Sequence, residues 1–152
     1  MDSLEATKKR ALKILGNRSF SEQEMARRLV EKGESQENAE EVAAWLVELG
    51  YINDSDYASA IVRHYSGRGY GESRIRDELY KRGIPREMWE DVLAELDADG
   101  VSDAALEFVG KKLRGSDDKD DLRRVTDALV RRGFSYSDAR SVVNAYLEDS
   151  RD

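Results

Sequence analysis

A chain of 152 residues holds one ordinary domain or a short array of small repeats, and has no room for two large independent domains. A single proline, a 38% share of Asp, Glu, Lys and Arg, and apolar residues spaced in singles and pairs exclude buried strands and describe exposed amphipathic helices. With no cysteine there is no disulfide framework, no thiolate nucleophile and no Cys-based zinc site. No stretch approaches the roughly 18 consecutive apolar residues of a membrane span. Met1 to Glu5 lacks the basic-then-apolar order of a secretion signal, so a cytoplasmic chain with no membrane partner is expected. The net charge of −7 argues against nucleic acid as a partner, until charge is followed along the chain.

Three stretches superimpose at a constant offset of 50 residues without a gap. Phe20 matches Tyr70; Met25 matches Ile75 and Val125; Leu29 matches Leu79 and Leu129. Gly33 matches Gly83 and Gly133, and Val42 matches Val92 and Val142. In chain order, an amphipathic segment carrying Leu4, Ala11, Leu12 and Leu15 comes first. Ser21 and Glu24 then have the capping-box spacing of a helix start, and Met25 and Leu29 lie on one face four residues apart. Gly71 and Asp121 are the equivalent N-caps. Gly33, Gly83 and Gly133 stand where a left-handed residue ends a helix without a Cβ clash. The next helix restarts at Ser35, at Pro85 as a first helical residue, and at Ser135. Its buried face is Ala39, Val42, Leu46 in one copy and Trp89, Val92, Leu96 in the next, closed by Gly50 and Gly100. A further helix starts near Asp54 with Tyr57, Ile61 and Tyr65, and near Asp103 with Leu106, Val109 and Leu113.

Nine helices follow: 4–15, 22–32, 36–49, 54–66, 72–82, 86–96, 103–114, 121–132 and 136–148. The fold expected is all-α, an elongated, curved tandem array of three three-helix units over 1–50, 51–100 and 101–152. A unit of about 50 residues buries too little surface to be stable alone, so each must stack on its neighbour. Glycine-rich joins at Ser66 to Gly71 and Gly115 to Asp118 are where such an array bends.

Charge repeats as well. Residues 8–32 hold eight Lys and Arg against three acids, and 33–62 hold none against seven. The alternation continues: seven against three over 63–86, none against eight over 87–110, and eight against five over 111–132. If the units stack by translation, the basic helices form one stripe, suited to DNA phosphates or an acidic protein surface.

Leu49-Gly-Tyr-Ile-Asn-Asp-Ser-Asp-Tyr-Ala58, Gly69-Tyr-Gly-Glu-Ser-Arg-Ile-Arg-Asp-Glu-Leu79 and Lys81-Arg-Gly-Ile-Pro85 closely resemble the central signature of the RecX family. Ala11-Leu-Lys-Ile-Leu15 and Glu24-Met-Ala-Arg-Arg-Leu29 look like its opening helices. The resemblance implies a tandem three-helix architecture and a modulator, in most cases an inhibitor, of the RecA recombinase. Such a protein binds the RecA filament on DNA and alters its ATPase, extension and strand exchange in recombination, DNA repair and the SOS response. It implies no catalytic residue, so an enzyme is not expected. Some members also bind single- or double-stranded DNA directly. The contact surface expected is the basic stripe of Arg63, Arg68, Arg74, Arg76, Lys81, Arg82, Lys111, Lys112, Arg123, Arg124, Arg131 and Arg132, on a chain acting as a monomer. Two other readings remain: a non-specific DNA-binding protein using the same stripe, and a helical adaptor for another acidic protein.

Other chemistry lacks its context. Gly67-Arg-Gly-Tyr-Gly71 has no preceding strand and no following Lys-Ser/Thr, so it reads as an inter-unit turn and not as a phosphate loop. His64 is the lone histidine, too little for a triad or a His metal site, and reads as a partly exposed helix residue. Asp117, Asp118, Asp120 and Asp121 lack the calcium-loop order and read as a solvated loop capping a helix near Leu122, so no metal or cofactor is expected. Tyr51, Tyr57, Tyr65 and Tyr70 flank the basic middle segment and could stack on bases, although Tyr57 and Tyr65 have core spacing. A helix-turn-helix reading would push Glu37, Glu40, Glu41 and Glu48, or Glu87, Glu90, Asp91 and Glu95, against phosphate.

Overall fold

Short polar side chains and glycines set the helix ends. The Ser21 hydroxyl accepts from the Glu24 N–H at 3.0 Å while the Glu24 carboxylate accepts from the Ser21 N–H at 3.1 Å, a complete capping box. Ser35, Ser102 and Ser135 cap three more helices by accepting the N–H three residues on. Gly33, Gly83 and Gly133 have φ of 101°, 72° and 105°, left-handed geometry that a Cβ would strain.

The chain is described from residue 3 to residue 150 in a computed structural model. Among those residues there are nine α-helices and no strand: α1 (Ser3–Leu15), α2 (Glu22–Glu31), α3 (Gln36–Glu48), α4 (Asp54–Ser66), α5 (Glu72–Lys81), α6 (Trp89–Leu93), α7 (Asp103–Leu113), α8 (Lys119–Arg131) and α9 (Tyr136–Asp149). They follow one another as three consecutive triplets, here called the first, second and third repeats.

Three boundaries differ from the periodicity, each for a local reason. The helix expected over 86–96 is a 3-10 turn at Arg86–Met88 followed by the five residues of α6. Pro85 therefore precedes the helix instead of opening it, and Leu93 is buried where Leu96 is only partly covered. Asp121 is not the N-cap of α8. Asp118 is, its carboxylate accepting the Asp120 N–H at 2.8 Å, so α8 starts three residues ahead of the positions equivalent to α2 and α5.

Contacts divide the chain into two compact units, one running to residue 58 with 79–88 added, the other covering 59–78 and the chain from 89 onward. In the first, Ala11, Phe20, Met25, Leu29, Ala39, Val42, Ala43, Leu46 and Ile52 form one buried cluster on which α1, α2 and α3 converge. In the second, Ala105, Val109, Leu113, Val125, Leu129, Phe134, Ala139, Val142 and Val143 do the same for α7, α8 and α9. Every anchor of the repeat pattern from the first helical face is buried: Met25, Leu29, Ile75, Leu79, Val125 and Leu129.

Each unit also holds one junction between successive repeats. In the first, the Ser21 hydroxyl donates to the Arg82 carbonyl at 2.5 Å, and a Cβ on Gly83 would lie 2.6 Å from the Gln23 side-chain oxygen. In the second, the Gly71 N–H donates to the Arg132 carbonyl at 2.9 Å and the Ser73 N–H to the Gly133 carbonyl at 3.0 Å. A Cβ on Gly133 would lie 2.6 Å from the Arg74 nitrogen, whereas one on Gly33 would meet nothing within 4 Å. The start of one repeat's first buried helix thus lies against the glycine turn of the next.

Gly33 and Gly133 share a backbone conformation but not a neighbour, so a matched pair of substitutions isolates the junction. Gly33→Ala is expected to cost about 1–2 kcal/mol for left-handed backbone. Gly133→Ala adds an overpacking penalty of roughly 1–3 kcal/mol. Urea unfolding of the two variants checks the difference, and equal losses would remove the junction from the account.

Candidate functional site

The twelve cations of the expected stripe fall in both compact units, Lys81 and Arg82 in the first and the other ten in the second. Arg63, Arg68, Lys81, Lys111, Lys112, Arg123, Arg124 and Arg131 are exposed, and Arg74, Arg76, Arg82 and Arg132 are partly covered. The covered four have defined internal partners. Arg74 Nε lies 3.3 Å from Glu78, a carboxylate only 7% exposed. Arg76 bridges Glu72 at 2.9 Å and Glu90 at 3.1 Å, and its hydrogen bond to Glu72 raises its already high pKa. Arg82 donates to the Tyr57 hydroxyl at 2.8 Å. Arg132 donates to the Gly69 carbonyl at 3.1 Å and the Arg68 carbonyl at 2.6 Å.

Part of the set converges. The Arg132 guanidinium stands 4.0 Å from the Tyr70 ring centre and 4.5 Å from that of Phe108, and the Arg74 guanidinium is 4.9 Å from Tyr70. Stacking of this kind is worth about 0.5–2 kcal/mol per contact and fixes both planes. Arg68, Lys111 and Arg132 line one cleft of about 330 Å³ with Tyr70 and Phe108. On α8, Arg123 and Arg124 reach Asp120 and Asp121 only at 3.6 Å, exposed pairs that hold their partners weakly. The tyrosines offer little free ring for a base. Tyr51 is exposed, Tyr57 and Tyr65 are partly buried, and Tyr70 is covered by arginines. His64 is exposed and meets the Tyr65 ring edge-on at 4.9 Å.

A large cation-lined groove lies outside the expected stripe. Between α1 and α2 an opening of about 940 Å³ is walled by Lys9, Arg10, Lys13, Arg27, Arg28 and Lys32. Its signal was present in the sequence as the eight-to-three excess over residues 8–32. On α1 the lining residues 6, 9, 10, 13 and 14 form one helical face, opposite the buried Thr7 and Ala11. Arg10 is tied to the Lys32 carbonyl at 2.8 Å and to Glu34 at 3.1 Å, and Arg18 to Glu24 at 3.2 Å. Among the described residues no group of three or more His, Asp or Glu side chains could hold a metal ion. No helix among them is long and apolar enough to cross a membrane.

The signature residues Asp54 and Tyr57 have structural work. Asp54 accepts the Glu22 N–H at 2.9 Å and so caps α2 from a neighbouring helix. Burial raises its pKa, opposed by that hydrogen bond and aided by the nearby Glu24. The Tyr57 hydroxyl receives Arg82 at 2.8 Å and Arg18 at 3.4 Å; burial raises its pKa, and the Arg82 bond opposes the rise.

Known proteins match this arrangement throughout. Residues 8–46 match the family model described as RecX, first three-helix domain, and residues 53–93 match RecX, second three-helix domain. A curated regulatory protein RecX from Xanthomonas axonopodis pv. citri is 32% identical over 142 residues, covering 92% of this chain and 87% of its own length. One from Shigella sonnei is 38% identical over 117 residues, covering 68% and 70%. The crystal structure of RecX from Lactobacillus salivarius superimposes with a TM-score of 0.79 at 21% identity, covering 95% of this chain and 97% of that one, a likeness of fold.

Asp54 makes stability depend on pH. Because its folded-state pKa is raised, its contribution is present in full below the ordinary aspartate value and lost as pH rises through the raised one. Asp54→Asn, which keeps an acceptor for Glu22, is expected to flatten that fall. Asp54→Ala strands the N–H and costs about 0.5–2 kcal/mol. Urea unfolding from pH 3 to pH 7 separates the two, and an unchanged pH profile in the Asn variant would count against the assignment.

Proposed function

Because the chain belongs to the RecX family of regulatory proteins, we propose that it binds the RecA filament on DNA and restrains its ATPase, extension and strand exchange. The observation that carries the reading is the family match across both three-helix models and nearly the whole chain. Binding is assigned to cations left outward by the internal pairing, Arg63, Arg68, Lys112 and Arg131, together with Lys111 in its exposed pair with Glu107 at 2.9 Å and Arg123 and Arg124 released readily from their long acidic contacts. Guanidinium and ammonium groups recognise phosphate and carboxylate alike, so a filament that presents DNA backbone and acidic protein together suits such a surface. Arg74, Arg76 and Arg132 of the same unit are engaged internally, fixing turns and helix faces. No bond-making step is assigned to the chain. It acts by occupying the filament, in the cytoplasm.

A second reading is direct, non-specific binding to naked DNA through the same cations. The cleft that sets Arg68, Lys111 and Arg132 around Tyr70 and Phe108 favours it, because phosphate contacts and aromatic rings are the usual elements of such sites. The second helices remain poor readers of bases. Glu37, Glu40 and Glu41, like Glu87, Glu90 and Asp91, are exposed carboxylates on the element that would enter a groove.

The single-stranded-DNA-dependent ATPase of RecA distinguishes the readings. Inhibition at amounts well below those of RecA is expected from filament binding, and inhibition only after free DNA is saturated from DNA binding. Charge reversal at Arg63, Arg68 and Arg131, positions exposed in the fold, is expected to weaken inhibition at least about tenfold with helix content unchanged. Full inhibition by the reversed variant would refute this surface, and no effect of the native chain on RecA would refute the function.

A further inference from the structure

The connectors that lead into α2 and α5 each close over the repeat that follows. Arg18, in the connector between α1 and α2, reaches Tyr57 of α4, and Ser21 at its end reaches the Arg82 carbonyl. Between α4 and α5, residues 67–71 do the corresponding thing to the third repeat. The Gly71 N–H meets the Arg132 carbonyl, Arg132 returns hydrogen bonds to Arg68 and Gly69, and a Cβ on Gly69 would lie 3.3 Å from the Ala104 carbonyl. The preceding connector thereby lies over Ala104 and Phe108 of α7 and over Arg132, which are partly covered, while Glu107 and Lys111 at the rim of that face stay exposed.

Counting back from the ends of α1 at Leu15 and α7 at Leu113, the matching face of the first repeat is Ala6, Lys9, Arg10 and Lys13, with Lys32 in the place of Arg132. Those five residues line the open α1/α2 groove. Nothing described covers them, and a Cβ on Gly33 would meet nothing within 4 Å where Gly83 and Gly133 are in contact. One connector is likewise uncovered: the stretch between α7 and α8, whose Gly115 has open space around it. With the extra turn of α8 it carries Asp117, Asp118, Asp120 and Asp121. An acidic connector without a seat and a basic seat without a connector occur on the same chain.

We propose that residues 114–121 of one copy dock in the α1/α2 groove of a second copy, so that chains join head to tail. Seven cations of the groove face a segment of four aspartates and two cations, Arg114 and Lys119, across such a contact, with two glutamates, Glu24 and Glu31, already in the groove. Glu24 is held by Arg18 and Glu31 by Arg28, which leaves Lys9, Lys13 and Arg27 to meet the incoming carboxylates. On the other side, Asp120 and Asp121 make only long ion pairs, to Arg123 and Arg124; Asp121 also accepts the Ser116 hydroxyl at 2.6 Å and Asp118 caps α8, so Asp117 and Asp120 are the carboxylates offered to the groove. A nucleic-acid strand fits the groove less well. The Phe20 ring is 6% exposed with Arg18 stacked at 3.8 Å, so no aromatic face is free for a base, and both glutamates would face phosphate. Because the two surfaces differ, the contact is heterologous and leaves a free end of each kind, the condition for open chains. Its strength is electrostatic, so salt weakens it.

Sedimentation velocity of the full chain over a range of concentrations tests the proposal. The mean sedimentation coefficient is expected to rise with concentration at low salt and to stay at the monomer value at high salt. Reversing the groove (Lys9→Glu, Lys13→Glu, Arg27→Glu) or the connector (Asp117→Lys, Asp120→Lys) is each expected to weaken association at least about tenfold, with circular dichroism unchanged. Mixing the two variants restores association, since each supplies the charge the other lacks. A native chain that stays monomeric at every concentration overturns the proposal. So does association that survives both reversals, or variants that fail to associate when mixed. A monomeric native chain that binds a labelled oligonucleotide only while the groove is intact also overturns it, and assigns the groove to nucleic acid.

Discussion

Everything in this fold depends on how a glycine turn of one repeat lies against the start of a helix in the repeat before it. The Arg82 and Arg132 carbonyls, left without helical partners at the ends of their helices, are satisfied by the Ser21 hydroxyl and the Gly71 N–H. Both sides must approach closely. A Cβ on Gly71 would fall 2.5 Å from the Phe134 nitrogen, so only hydrogen can occupy the place. A three-helix piece of this size closes too little apolar surface to hold itself, and the junction supplies neighbouring surface while consuming the polar groups that would otherwise oppose burial.

The same constraint divides the basic residues into two kinds. Arg82 and Arg132 immediately precede the junction glycines; the Arg132 guanidinium turns onto the Gly69 and Arg68 carbonyls of the connector it faces, and that of Arg82 turns onto Tyr57 of α4. Arg63, Arg68, Lys112 and Arg131 are exposed. Charge is also divided along the chain: acids predominate over 33–62 and 87–110, cations over 8–32, 63–86 and 111–132. Arg131 and Arg132 are adjacent in sequence, yet one stays exposed while the other fastens a junction.

Signature residues of the family have the same logic. Asp54 and Tyr57 both make hydrogen bonds to other helices and connectors. One carries a hydrogen bond to the first turn of α2, and the other presents a hydroxyl to two arginines, so both act on junction geometry. A carboxylate at Asp54 is expensive to bury and is retained beside the α2 N-terminus, where the free N–H of Glu22 and the positive end of the helix offset part of that cost.

The sequence alone determined the helical class, the 50-residue period, the capping serines and the left-handed glycines, because each depends on contacts within a few residues. It also marked residues 8–32 as basic, without indicating that Lys9, Arg10, Lys13, Arg27, Arg28 and Lys32 would wall one groove. Tertiary structure decided the rest. The helix expected over 86–96 shortened to a 3-10 turn and α6, and α8 gained a turn capped by Asp118. The directions of Arg82 and Arg132 were settled by partners more than twenty residues away, Tyr57 and Gly69. Period and composition record which residues repeat. Which of them turn inward depends on carbonyls and rings that only folding brings within about 3 to 4 Å.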